Sequence, residues 1–157
     1  MSLTMQENPQ HSGAVPMSDE EWALRVQLAA CYRIFDQLGW PDLIFNHITL
    51  RVPGPQRIFL INPFGLHYSE VCASNLVAVD VDGRPVRPTD HAVNRAGFVT
   101  HSAIHGHLDA AHCVMHTHTT AGMAVASLEQ GLSHDSFYGA QLTGNVAYHE
   151  FEGITVN

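Results

Sequence analysis

The stretch Cys113-Val114-Met115-His116-Thr117-His118-Thr119-Thr120 puts two imidazoles two residues apart at the end of a short apolar run. On a β-strand, residues i and i+2 share a face, so the rings of His116 and His118 are expected to project side by side. Neutral imidazole is a common ligand for zinc and similar divalent ions, and such a pair supplies half of a tetrahedral shell. The pair alone is a weak signal, because histidines bonded to backbone at the edge of a core look the same in sequence. Its place adds weight: a small-residue helical pattern, Ala121 to Leu128, follows directly. Strand-to-helix junctions are where α/β proteins put their sites.

Other residues limit the chemistry. The chain has twelve histidines and seven basic side chains, all of them arginine. Without lysine, no Schiff base can be carried by these residues, and carbanion chemistry here would need a metal. His101 and His105 lie four apart on a helical pattern and share a face, where they could bind metal or move a proton. The ordinary alternative is a packed pair. Tyr138, Tyr148 and His149 could also exchange protons, or be amphipathic side chains at a sheet edge or subunit contact.

A formal net charge of −8 argues against nucleic acid or an anionic membrane as partner. No apolar run reaches membrane-spanning length, and the N-terminus lacks a signal-peptide pattern. Cys31, Cys72 and Cys113 are odd in number and scattered, with Cys113 in an expected core strand. Reduced thiols and a cytoplasmic location follow as expectations.

The elements that must position these residues can be read along the chain. Met1 to Met17 is polar, broken by Pro9, Gly13 and Pro16, and is expected to be a flexible tail; residues 18–157 form one domain. Ser18-Asp19-Glu20-Glu21 reads as a capping box in front of a helix that Gly39 stops. Ile48 to Val52 and Ile58 to Ile61 read as a hairpin around Pro53-Gly54-Pro55. A short helix over Ser69 to Leu76, a strand over Val77 to Val81 and a helix from Gly97 or Phe98 to His107 follow. Then come the strand Val114 to His118, a helix Thr120 to Glu129 and a last strand Val146 to Phe151. Strands arrive partly as hairpins and partly alternating with helices, so a sheet flanked by helices is expected.

In this order, Phe45-Asn46-His47-Ile48-Thr49-Leu50-Arg51, Asn62-Pro63-Phe64-Gly65, Val79-Asp80-Val81-Asp82-Gly83 and Val114-Met115-His116-Thr117-His118 resemble the class II aldolase/adducin family. The likeness runs from about Ser18 to Asn157. Asn94-Arg95-Ala96-Gly97-Phe98, His101-Ser102-Ala103-Ile104-His105 and Val146-Ala147-Tyr148-His149 resemble its adducin-like branch. The resemblance implies an α/β fold, an α/β/α sandwich with a central, mostly antiparallel sheet between helical layers. It also implies a homo-oligomer, typically a tetramer with sites at subunit interfaces, and a divalent metal, zinc first, with manganese or iron as alternatives.

Carried over residue by residue, the resemblance makes His116 and His118 metal ligands. The third family histidine would lie well downstream, past Asn157, so the domain is expected to be C-terminally truncated here. Alignment on His116 puts Gly97 where the aldolases carry a glutamate acid/base, and glycine cannot remove a hydroxyl proton. His101, one turn along, and Tyr138 are the candidates to replace it. Asn46, Gly65 and Arg95 are the candidate substrate-binding residues; Arg95 could take a carboxylate through its bidentate guanidinium. The phosphate-binding positions read Phe64-Gly65 and Arg95-Ala96, which argues against a sugar phosphate.

Two functions compete on this reading. One is a divalent-metal-dependent carbon–carbon lyase, an aldol cleavage or decarboxylation of a small carboxylate or carbonyl compound through a stabilised enolate. The other is a non-catalytic, adducin-like oligomerisation or scaffold domain, and a defective remnant is a third outcome.

Overall fold

The computed structural model describes residues 16–151, 153 and 154. Most of the expected N-terminal tail therefore lies outside the described residues. The elements run α1 (Asp19–Gln37), β1 (His47–Arg51), β2 (Phe59–Ile61), a 3-10 turn (Tyr68–Glu70), β3 (Val77–Val79), α2 (Arg95–His107), β4 (Cys113–His116), α3 (Thr120–Ala126) and α4 (Phe137–Gln141). The strands form one sheet in the order β3-β2-β1-β4, and every neighbouring pair is antiparallel. This is the expected α/β architecture, with helices flanking a mostly antiparallel sheet.

The N-terminal helix starts where Ser18 accepts a hydrogen bond from the Glu21 amide at 3.1 Å. Asp19, Glu20 and Glu21 in its first turn oppose the positive end of the helix dipole. Only half of the expected capping box forms. Glu21 is buried, and its carboxylate is held by Arg25 and Arg87 instead of reaching back. Arg25 also donates to the Leu76 carbonyl at 2.6 Å, which ties α1 to the start of β3. The helix ends in a Schellman arrangement: Gly39 has φ 68° and donates to Asp36, and Trp40 donates to Phe35.

Alternation along the strands gives the sheet two unlike faces. One face packs Ile48, Leu60 and Ala78 against Leu28 and Tyr32 of α1, with Tyr68 and Val71 closing the cluster. On the other face Phe59, Ile61, Val77 and Val79 pack on Phe98 of α2. The Tyr32 hydroxyl accepts from the Ile48 amide at 2.9 Å and donates to the Ile48 carbonyl at 2.6 Å, pinning β1 to α1.

Four expectations change. The helix over Ser69 to Leu76 is a single 3-10 turn followed by irregular turns. The strand over Val146 to Phe151 is irregular chain, with Phe151 91% exposed and no neighbour to alternate against. A short helix, α4, appears where none is expected. Cys113 is exposed, not buried, because β4 is the edge of the described sheet. No described helix is long and apolar enough to cross a membrane.

Candidate functional site

The histidine cluster lies on the α2 side of the sheet. Cross-strand register sets His47 opposite His116 and Thr49 opposite Val114, so His47 on the central strand meets the metal-pair candidate on the edge strand. Their rings stack at 4.9 Å with 19° between planes. From α2, His101 also packs against the His47 ring, at 4.3 Å between ring centres. Gly97, His101 and His105 recur at four-residue spacing, and that stripe of α2 faces β1.

Partners fix the tautomers. His105 Nδ1 lies 2.8 Å from the Ala111 carbonyl, which can only accept, so Nδ1 carries the proton and Nε2 is left as an acceptor. The Thr49 hydroxyl, 2.8 Å away, donates to that Nε2. Thr49 Oγ1 in turn accepts from His101 Nδ1 at 2.7 Å. One buried hydroxyl thus orders two buried imidazoles.

The same reasoning applies at the His116 and His118 pair. His118 Nδ1 lies 2.8 Å from Asp42 Oδ2 and must donate to it, which leaves Nε2 of His118 as a lone pair. That Nε2 is 2.6 Å from Nε2 of His116. His118 Nε2 therefore accepts from Nε2–H of His116, with the rings nearly perpendicular at 77°. A carboxylate behind a ligating histidine is the usual device for fixing its orientation and raising its basicity.

Burial pushes the histidines toward neutrality, the form that binds metal. Desolvation first, then the neighbouring His47, His105 and His116, lowers His101 to about 3. His116 falls to about 4 through desolvation of its stacked ring, then through His47 and His118. His47 is lowered by burial and by His118, against the upward pull of the Phe45 and Gly97 carbonyls. His105 is also lowered, chiefly by burial.

The donor set fits half of a metal shell. Two facing Nε2 atoms with a carboxylate behind one of them suit zinc or a similar divalent ion once the proton between them leaves and the rings part. Among the described residues, no group of three or more His, Cys, Asp or Glu gathers around one point.

The remaining candidates disperse. His101 is 2% exposed and tied to Thr49. Tyr138 is 79% exposed on α4, where its ring meets Phe137. Asn46 is buried and donates to the Trp40 carbonyl at 2.8 Å, while its Oδ1 has no hydrogen-bond partner. By strand alternation it lies on the opposite side from His47. Gly65 takes φ 95° in the turn after Asn62. Arg95 lines a cavity of about 630 Å³ with Val81, Arg84, His91, Phe98 and Ser102, rather than a space among the histidines. It belongs to the 95/98/102 stripe of α2, next to the stripe that carries His101.

Asp42, His47 and Thr49 are absent from the sequence-based candidates. The signal for His47 and Thr49 is present in principle, since pairing β1 with β4 brings them to His116. Asp42 lies 76 positions from His118 and has no local signal at all.

Comparison with known proteins bears on what this arrangement is. Residues 26–156 match the family described as class II aldolase and adducin N-terminal domain. A Caulobacter vibrioides protein whose name assigns it to class 2 aldolases is 44% identical over 90% of this chain and 55% of its own length. Alpha-adducin of Rattus norvegicus is 47% identical over 93% of this chain and 20% of its own. The crystal structure of an aldolase II superfamily protein from Pseudomonas syringae superposes with a TM-score of 0.85 at 47% identity, covering 90% of this chain and 57% of that one. An L-fuculose 1-phosphate aldolase from Glaciozyma antarctica superposes with a TM-score of 0.73 at 31% identity, covering 83% and 55%. The chain spans about half the length of its bacterial relatives. A family match over most of the chain, on the same fold, leads to one conclusion: the protein belongs to the class II aldolase and adducin N-terminal domain family.

Proposed function

We propose that this chain carries part of a divalent-metal-dependent carbon–carbon lyase site, with His116 and His118 as ligands and a small carboxylate or carbonyl compound as substrate. The observation that carries the reading is that the two Nε2 atoms face each other across a 2.6 Å hydrogen bond, whose proton a divalent ion would displace, with Asp42 behind His118. A divalent ion at that point would supply Lewis-acid polarisation of an oxygen next to the breaking carbon–carbon bond. Zinc suits two neutral imidazoles best, with manganese or iron as alternatives.

The residues of the chain narrow the reaction. Gly97 offers no group to remove a hydroxyl proton, and the His101 imidazole beside it is committed to Thr49 through Nδ1. Decarboxylation fits better than retro-aldol cleavage, because departing carbon dioxide leaves its electron pair behind and needs no base first. Asp42 holds the His118 tautomer, and the His47 ring holds that of His116 in place by stacking. Assembly into a homo-oligomer would enclose the site.

A second reading, a non-catalytic scaffold, is favoured by one observation. From Leu108 onward Phe137, Tyr148, Phe151 and Ile154 are all exposed, an apolar surface suited to self-association.

Metal content by elemental mass spectrometry, on protein purified without a metal-affinity step, separates the two. Near-stoichiometric zinc, manganese or iron that is lost in His116→Ala is the expected result and justifies a screen of keto and hydroxy acids for decarboxylation. A metal-free protein that self-associates tightly would defeat the lyase reading.

A further inference from the structure

Position 97 is a glycine for a reason that lies on another strand. A Cβ built on Gly97 would stand 2.5 Å from Cε1, 2.7 Å from Nε2 and 2.8 Å from Nδ1 of His47. Gly97 sits in the first turn of α2 and its backbone is outside the left-handed region. A side chain is therefore refused by lack of space, not by dihedral strain.

The ring that fills that space is well held. His47 Nε2 lies 2.9 Å from the Gly97 carbonyl and Nδ1 lies 3.2 Å from the Phe45 carbonyl. His101 and His116 both pack against the ring, at 4.3 and 4.9 Å between ring centres. The residue is 4% exposed.

The geometry points to His47 as the residue that decides what stands beside His116: its ring takes the volume of a side chain at 97 and interlocks with the glycine there. A side chain grown from position 97, with the ring gone, would enter the volume that ring fills, which is stacked on the His116 imidazole. With the ring present no carboxylate from position 97 can stand there, and the carboxylate at the pair is that of Asp42, behind His118. The inference deepens the proposed function, and its metal-binding half rests on that reading.

Four full-length chains test it: wild type, Gly97→Ala, His47→Val and the double variant. Valine suits a strand and ends at Cγ, short of the three ring atoms that collide. Gly97→Ala is expected to lower Tm by roughly 3–10 °C with His47 present, the cost of overpacking a closed site. In the His47→Val background the same change is expected to raise Tm slightly, because alanine outranks glycine in a helix. Equal shifts in both backgrounds would overturn the interlock. His47→Ala is run in parallel, so that a valine variant that fails to fold does not end the test.

The metal half uses Gly97→Glu and Zn²⁺ titrated against a chromophoric chelator. Affinity is expected to rise on the order of tenfold in the His47→Val background, as a third ligand joins the pair, and not to rise with His47 present. The same change in both backgrounds would refute control by His47. A wild type that takes no Zn²⁺ while the Tm cycle stays non-additive would sink the metal reading and leave the interlock standing.

Discussion

The two faces of the sheet are built from alternate residues of the same strands, and they are stabilised in different ways. Under α1, Ile48, Leu60 and Ala78 meet Leu28 and Tyr32 through non-directional burial. Under α2, Thr49, His101 and His105 meet through directional hydrogen bonds, and His47 sits between the Phe45 and Gly97 carbonyls. Apolar packing tolerates swaps of similar volume, whereas a buried polar chain loses the most when one member goes. The first face holds the molecule together, and the second fixes which nitrogen of each ring carries a proton.

Acid is expected to break the second face first, and by the largest margin. The folded state holds His101 at about 3 against an ordinary value of 6.5, so between those values the unfolded chain takes a proton that the folded one refuses. Its contribution is complete above pH 6.5 and is lost as pH falls toward 3, on the order of several kcal/mol. Urea unfolding at stepped pH checks this; a midpoint that does not move between pH 7.5 and 5 would contradict it. The apolar face gives the next effect. Leu60→Ala should cost about 2–5 kcal/mol, with the Zn²⁺ affinity of the folded protein unchanged. A matching loss of metal affinity would show that the faces are not independent.

Thr49→Val keeps shape and removes the bridging hydroxyl, so Nδ1 of His101 and Nε2 of His105 each lose their partner. A loss of about 1–3 kcal/mol is expected in urea, together with a change in the imidazole signals of both rings by NMR. Asp42→Ala sits at the small end for stability, within about 1 kcal/mol, since the pair is partly solvated. Its mark should fall on metal: a Kd weaker by about 10–100-fold, with Asp42→Asn in between. Equal affinity in all three chains would remove Asp42 from the site.

The apolar face was legible in sequence, because periodicity records which residues face a helix. Ser18, Gly39 and the alternation through Ile48 placed α1 and β1 within a residue or two. The His116 and His118 pair was legible because its two members are neighbours in sequence. His47, Thr49 and Asp42 were not, since each reaches its partner only through strand pairing or a loop closing over many positions. The last expected strand failed for a related reason: alternation over Val146 to Phe151 describes a strand only when a neighbouring strand is there to receive it. Arg95 lies one helical stripe from His101, a rotation that residue type does not reveal.

The pairing of His47 with His116 carries one more consequence. Side chains alternate along β4, so sliding that edge strand by a single residue would turn His116 toward α1 and bring Met115 or Thr117 to His47. Only one alignment of β4 on β1 would assemble the proposed metal site. A bound ion would therefore act on folding as a proofreader, rewarding the correct alignment and leaving the slipped ones without ligands.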